Sequence, residues 1–389
     1  MDQLPAGGEG GPVRMTSGPL VEVLEGIYDK AASTLGDSVI ADQGIRERID
    51  YVCRCLSNRA GVRLLMACLL GKLENPQADP RKPYTEIGTP DSFSGRTLDE
   101  RYLTAFITKH RLPCNPTTAF LTPTLRNINR PLTTDVQLVG WPRELYAQAL
   151  QLLDDVATGR VTAEVVFVET VRVLILLRDE KAARMQSLLN SLERTEGALP
   201  LSSEEIVTLL SQHLACKGAS RLPVLAVAAA YKAAGAKIGE VIRPLLSHNA
   251  ADLQTKAVGD VEVYLVGEDA IVTAYEMKMK RVTVEDIDVA ITKVTRAGQF
   301  VHNYIFITTD KIDPEVTEYA ARFYEDLGGV EISVLGCISF VRHFLHFFHR
   351  LRQVYLDEYQ ALVLAEPDSA VGSTLKEAFL ALRQAAEAG

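Results

Sequence analysis

The chain lacks several common signatures. No GxxxxGK[ST] loop occurs in it, so a built-in ATP motor is not expected. No apolar run approaches the ~20 residues needed to span a bilayer. Runs such as Leu64–Leu70 and Val173–Leu177 are far shorter. Basic charge is in deficit: 41 Lys and Arg stand against 50 Asp and Glu, for a net charge of −9 and a pI of about 5.4. That excludes a chain basic overall. It does not exclude nucleic acid as a partner, because binding needs only a local basic surface. Cysteines number six, and Cys53-Arg54-Cys55 has the wrong spacing for a zinc knuckle, with no second pair following. Reduced thiols in a cytosolic protein are the expected state. No internal repeat is evident. The Gly/Pro-rich residues 1–18 hold no apolar signal core, so a soluble, cytoplasmic protein is expected.

What is present is a long chain with apolar content of 47% over 389 residues, comfortable for two domains. Residues 1–18 read as a flexible arm and 19–195 as a mainly helical domain. Within the latter, Arg59, Arg63 and Lys72 interrupt the apolar positions at the spacing of an exposed stripe. The segment 194–203 (RTEGALPLSS) is the expected boundary, with Ser202 or Ser203 before Glu204-Glu205 as a helix start. Residues 204–389 then read as helices, including one near 237–247, a hairpin, and alternating helix and strand. A long helix over Ile338–Tyr359 follows. That order predicts an α/β (mixed α+β) domain, its mixed sheet flanked by helices. His343, His346 and His349 recur every three residues but drift around the helix, with phenylalanines interleaved. A basic helix face fits them better than a metal site.

The most informative stretch is Gly259 to Arg281, GDVEVYLVGEDAIVTAYEMKMKR. Both halves alternate with period two around the loop Gly267-Glu268-Asp269, which predicts a two-stranded hairpin. If the loop is symmetric about residue 268, Asp260 falls opposite Glu276. Cross-strand Cβ atoms lie roughly 5 Å apart. Two carboxylates at that spacing repel unless a cation lies between them, and hard oxygen ligands suit Mg²⁺. Lys278 points to the same face. Two carboxylates, a metal and an ammonium make a working set for phosphodiester hydrolysis. The same alternation also fits an ordinary amphipathic hairpin with a solvated charged face. Glu262 shares the Asp260 face, but its register mate is Ala274, so it ranks as an accessory acid. Glu240, expected on a preceding helix, is another.

A second stretch fits a polyanion. Arg101 to Thr134 contains no Asp or Glu, yet holds Arg101, Lys109, Arg111, Arg126 and Arg130. Arg, Asn and Thr side chains bond base edges and phosphate oxygens. Arg111, Asn115, Arg126, Asn127, Asn129 and Arg130 are therefore candidate DNA contacts, with Lys280 and Arg281 after the hairpin. Lys293 and Arg296 on the 283–297 helix are expected near the scissile phosphate.

Asp260, then Glu276-Met277-Lys278, on a hairpin followed by helix and strand, is similar to the PD-(D/E)XK nuclease fold. More narrowly, the chain resembles the SacI-type restriction endonucleases. The stretches that carry this are KPYTEIGTPDSFSGRTLDERY (82–102), LPCNPTTAFLTPTLRN (112–127), and SHNAADLQTKAVGDVEVY (247–264) with its YEMKMK continuation. The resemblance implies a restriction-endonuclease-like core and a type II enzyme that cuts double-stranded DNA at a short specific sequence with Mg²⁺. It makes Asp260 and Glu276 metal ligands and Lys278 the lysine that orients water or stabilises charge. Gly259 stands where that superfamily usually has proline. A two-fold symmetric site is matched most simply by a homodimer, and a methyltransferase would protect the host's DNA. A structure-specific or repair nuclease of the same fold, and a non-catalytic DNA-binding protein, are the competing readings.

Overall fold

Helical periodicity and apolar content shape the N-terminal half. The computed structural model describes residues 18–55, 57–115, 122, 125, 128–192, 199–245, 257–296 and 301–388. It divides into two compact units, Met1–Arg184 and Met185–Gly389. The first is helical: α1 (Pro19–Ser33), α2 (Gln43–Arg54), α3 (Ala60–Glu74), α4 (Gly95–Leu98), α5 (Thr104–Lys109), α6 (Arg143–Ala157) and α7 (Ala163–Ser191). Its centre is α3, buried at every position from Ala60 to Gly71, as a helix apolar on all sides must be. This corrects the exposed stripe expected from Arg59, Arg63 and Lys72. Arg63 is wholly buried. Its guanidinium binds the Asp99 carboxylate, the Thr104 hydroxyl and the Asn115 carbonyl. Arg59 donates to the Pro113 carbonyl.

The unit boundary falls inside α7, not at 194–203. The last turns of α7 carry Met185, Leu188 and Leu189, which pack on the second unit's core. Residues 193–198 lie outside the described set. No helix among the described residues is long and apolar enough to cross a membrane.

The second unit opens with α8 (Ser203–Leu214), where Ser202 and Glu205 close a capping box. Next come α9 (Leu222–Ile238), β1 (Glu240–Ile242), β2 (Val261–Leu265), β3 (Ile271–Lys278), α10 (Val284–Arg296), β4 (Asn303–Thr308), α11 (Pro314–Ala321) and β5 (Glu331–Gly336). The chain closes with α12 (Cys337–Phe347), α13 (Arg352–Ala365) and α14 (Ser373–Ala388). Over the described residues 239–245, the helix expected near 237–247 is not formed. Gly239 takes a left-handed φ of 76° and ends α9, and Glu240–Ile242 becomes an edge strand. The long helix expected over Ile338–Tyr359 is broken at His349–Leu351.

The sheet runs β1-β2-β3-β4-β5. β1–β2 and β2–β3 pair antiparallel, and β3–β4 and β4–β5 pair parallel. Successive residues point to opposite faces. Ala274, Tyr304, Phe306, Ile332 and Val334 pack with Ile287 and Ala290 of α10 and Val316 and Ala320 of α11. Val261, Val263, Tyr275 and Ile307 pack instead with α8, α9, α12, α13 and α14. This is the mixed sheet flanked by helices that the order of elements predicts. The hairpin's charged face is partly covered, with Glu276 half-buried beneath α10 and Asp260 exposed.

Candidate active site

The hairpin register places the candidate residues. Val261 pairs with Tyr275, Glu262 with Ala274 and Val263 with Thr273, before a bulge brings Tyr264 opposite Ile271. Asp260 stands one residue ahead of β2, so the same register carries it opposite Glu276. Its Oδ2 accepts the Met277 backbone N–H at 2.7 Å, which ties the exposed carboxylate to the segment holding Glu276 and Lys278. Gly259 makes this approach possible. A Cβ there would lie 2.6 Å from the Tyr275 carbonyl oxygen, so no side chain fits between the turn and β3.

Glu276 sits among three donors. Its Oε2 accepts from Lys293 Nζ at 3.2 Å and from the Tyr304 hydroxyl at 3.2 Å, and its Oε1 lies 3.7 Å from Lys278 Nζ. Lys278 has a closer partner in Asp286, with Nζ 3.0 Å from Oδ1. Asp286 Oδ2 in turn accepts from the Thr283 N–H and hydroxyl, while the Asp286 N–H donates to the Thr283 hydroxyl. That is a reciprocal capping box with Asp in the place of Glu. Burial pushes the Asp286 carboxyl up, but the Thr283 N–H and the Lys278 ammonium outweigh it and hold the group below its ordinary value. Strand and helix thus oppose each other in crossed ion pairs, Glu276 with Lys293 and Lys278 with Asp286. Asp286 is not among the candidates that the sequence spacing picks out for the site. Lys293 was expected near the phosphate, and its contact with Glu276 depends on helix placement no spacing discloses. Tyr304 gave no signal beyond a buried strand residue.

The two accessory acids are both corrected. Glu240 lies on β1 opposite Leu265, at the end of β2 away from Asp260. At about 3.3 Å per residue it is roughly 16 Å off along the strand. Glu262 is adjacent to the site but sealed. Its Oε1 accepts the Val258 N–H at 2.7 Å, and its Oε2 accepts from Arg243 and the Tyr264 hydroxyl at 3.0 Å each. Burial first, and the Glu262 carboxylate second, push the Tyr264 phenol up to about 12, so it stays a donor. Glu262 therefore has a charged partner after all, reached from the other side through Arg243. Its work is to hold the turn before Asp260.

Asp260 and Glu276 are the acids that the fold brings together at the hairpin. Among the described residues, no group of three or more His, Cys, Asp or Glu is gathered to hold a metal. Two carboxylates fit Mg²⁺ better than an all-protein cage, since that ion is commonly held by one or two carboxylates with water and substrate phosphate completing its shell. The histidines of α12 form no such cluster. His346 and Arg342 both bind Glu204.

The candidate DNA contacts are distributed. Lys280 is exposed, and Arg281 is exposed and ion-paired with Asp313 at 3.1 Å. In the first unit Arg111, Asn129 and Arg130 are exposed, with left-handed φ at Arg111 and Asn129. Asn115 is partly buried, its carbonyl fixed by Arg63 at 2.6 Å. Arg126 and Asn127 lie outside the described residues. The acid-free segment is not free of acid in space, because Glu25 of α1 meets both Lys109 and His110.

Residues 201–309 match the family model of the SacI restriction endonuclease C-terminal domain. The match spans α8 through β4 and takes in Asp260, Glu276, Lys278, Asp286 and Lys293. No curated protein matches the chain. The similarity to the SacI restriction endonuclease C-terminal domain is therefore a property of residues 201–309 of the 389.

Proposed function

We propose that the chain is a type II restriction endonuclease, hydrolysing both strands of DNA at a specific site with Mg²⁺ held by Asp260 and Glu276. The observation that carries this is the Asp260 carboxylate bonded to Met277 N–H, between Glu276 and Lys278, within a segment matched to a restriction endonuclease domain. When bound, Mg²⁺ would polarise the phosphate and lower the pKa of a water nucleophile. Lys278 supplies an ammonium, about one-third exposed, beside the carboxylates, where it stabilises charge growing on the phosphate oxygens. The crossed ion pairs hold these groups in place before substrate arrives, so little reorganisation is needed in the transition state.

The remaining roles belong to the same proposal. Core β3-α10-β4 is read as PD-(D/E)XK-like. The first unit, with Arg111, Asn115, Asn129 and Arg130, serves sequence recognition, as do Arg126 and Asn127 by their place in the sequence. Lys280 and Arg281 approach the backbone near the cut. Two-fold DNA sites call for a homodimer, and a methyltransferase in the same cytoplasm protects the host.

The test is digestion of a plasmid of known sequence with Mg²⁺, followed by sequencing of the ends. Discrete, reproducible fragments are expected, and smears or junction-only cutting would favour a structure-specific nuclease. Glu276→Ala should abolish cleavage while DNA binding stays measurable. Full cleavage by that variant would refute the site.

A further inference from the structure

We infer that Asp286 is a positioning residue for Lys278, and that the cap of α10 and the active-site lysine are built on one carboxylate. The inference rests on the proposed nuclease reading for its catalytic consequence, though not for its geometry. Lys278 is the last residue of β3, where the strand no longer confines it, and its side chain is long and flexible. Fixing such a side chain costs rotamer entropy. Glu276, at 3.7 Å, is at the outer limit of an ion pair with it. Asp286 Oδ1, at 3.0 Å, is within hydrogen-bond range. The carboxylate is itself immobilised, because Oδ2 is occupied by the Thr283 N–H at 3.0 Å and hydroxyl at 3.2 Å. One oxygen starts the helix and the other aims the lysine. The arrangement requires a short acid at the third helical position. With the longer Glu, the cap could form while the second oxygen moved off the lysine.

The two jobs can be separated. Asp286→Asn keeps an oxygen to accept from Thr283 but removes the charge that holds Lys278. Thr283→Ala removes the hydroxyl from the cap and leaves the ion pair. Single-turnover cleavage by the full-length dimeric or monomeric protein with Mg²⁺, KM for DNA, thermal melting and acylation of Lys278 by an N-hydroxysuccinimide ester (read by mass spectrometry) are measured for both. Asp286→Asn should lower kcat roughly 10- to 100-fold, the usual cost of losing a supporting partner, with KM and Tm close to the parent. Thr283→Ala should lower Tm, with kcat falling less than in Asp286→Asn, because the Thr283 N–H still holds the carboxylate. Lys278 acylation should rise in Asp286→Asn alone. Asp286→Glu should restore melting more fully than cleavage.

Cleavage by Asp286→Asn at the parental rate overturns the inference. So does a parallel loss of kcat and Tm in both variants, which would reduce Asp286 to a cap. If the parent protein cuts no DNA, the proposed function fails by itself. Lys278 acylation then decides the positioning role: a rise confined to Asp286→Asn upholds it, and no rise overturns it.

Discussion

Arg63 and Asp99 in the first unit, and Glu276, Lys278, Asp286 and Lys293 in the second, are both sets of opposite charges fixed by helices. They differ in solvent. Arg63 and Asp99 are 0% exposed, whereas Glu276 and Lys278 keep 17% and 31%. The sealed pair spends every contact inside the fold, joining α3 to the Asp99–Thr104 turn and to the carbonyl of Asn115. The open set keeps part of its surface in contact with solvent. The same chemistry serves as an internal strut where water is excluded, and under the proposed function as a site where water and substrate enter.

The largest expected effect breaks this comparison on the sealed side. Arg63→Met strands the Asp99 carboxylate, and removing one partner of a buried pair costs about 3–5 kcal/mol. The urea midpoint should fall accordingly, and pairing it with Asp99→Leu should recover much of the loss. By contrast, Glu276→Ala should shift the midpoint little. Equal shifts for Arg63→Met and Glu276→Ala would erase the distinction between strut and site.

A second sealed group sharpens the comparison within the nuclease unit itself. His213 of α8 is wholly buried. Its Nε2 lies 3.0 Å from the Leu375 carbonyl, which can only accept, so Nε2 carries the hydrogen and Nδ1 accepts from the Tyr359 hydroxyl at 3.0 Å. Burial lowers its pKa from 6.5 to about 4, although the Leu375 carbonyl opposes the shift. The unfolded chain therefore takes up this proton first as pH falls. Stability from neutral His213 is present above pH 6.5 and lost progressively down to about pH 4. The loss is on the order of 3 kcal/mol. His213→Gln should flatten the dependence of the urea midpoint on pH across that window. An unchanged slope would mean another group titrates there.

These cases also show where the sequence was readable. Alternation about residue 268 gave the β2–β3 register from Val261 to Val263 and, with it, the neighbourhood of Asp260 and Glu276. Local period-two order is enough for that. The helix start at Ser202 was legible because caps are set by neighbours in sequence. What was not legible came from packing between distant segments. The burial of Arg63 depends on Asp99 and Thr104. The roof that α10 puts over Glu276 depends on how a crossover helix lies on a sheet. Glu240 was misplaced because a separate helix was expected near 237–247, whereas α9 runs to Ile238, Gly239 takes a left-handed conformation and Glu240 begins β1.

The smallest effect on stability should accompany a large one on cleavage, at Gly259. A Cβ at this position meets the backbone of Tyr275, at 2.6 Å from its oxygen and 3.1 Å from its carbonyl carbon. Backbone in a central strand cannot yield as a side-chain tip can, so the turn must move. Overpacking of this kind costs about 1–3 kcal/mol. The turn is held on both sides of Gly259, by Glu262 at Val258 N and by Asp260 at Met277 N. The bond at Val258 belongs to a sealed network with Arg243 and Tyr264, and the one at Met277 is exposed. Displacement should therefore fall on Asp260, the weaker anchor. Gly259→Ala is expected to remain folded, with Tm lowered by a few degrees, yet to lose most cleavage at Mg²⁺ levels that saturate the parent. Raising Mg²⁺ should recover part of it, since a displaced ligand binds the ion more weakly without being deleted. If cleavage and Tm fall together and Mg²⁺ restores nothing, the turn is an internal strut like Arg63, and the open site does not begin at Asp260.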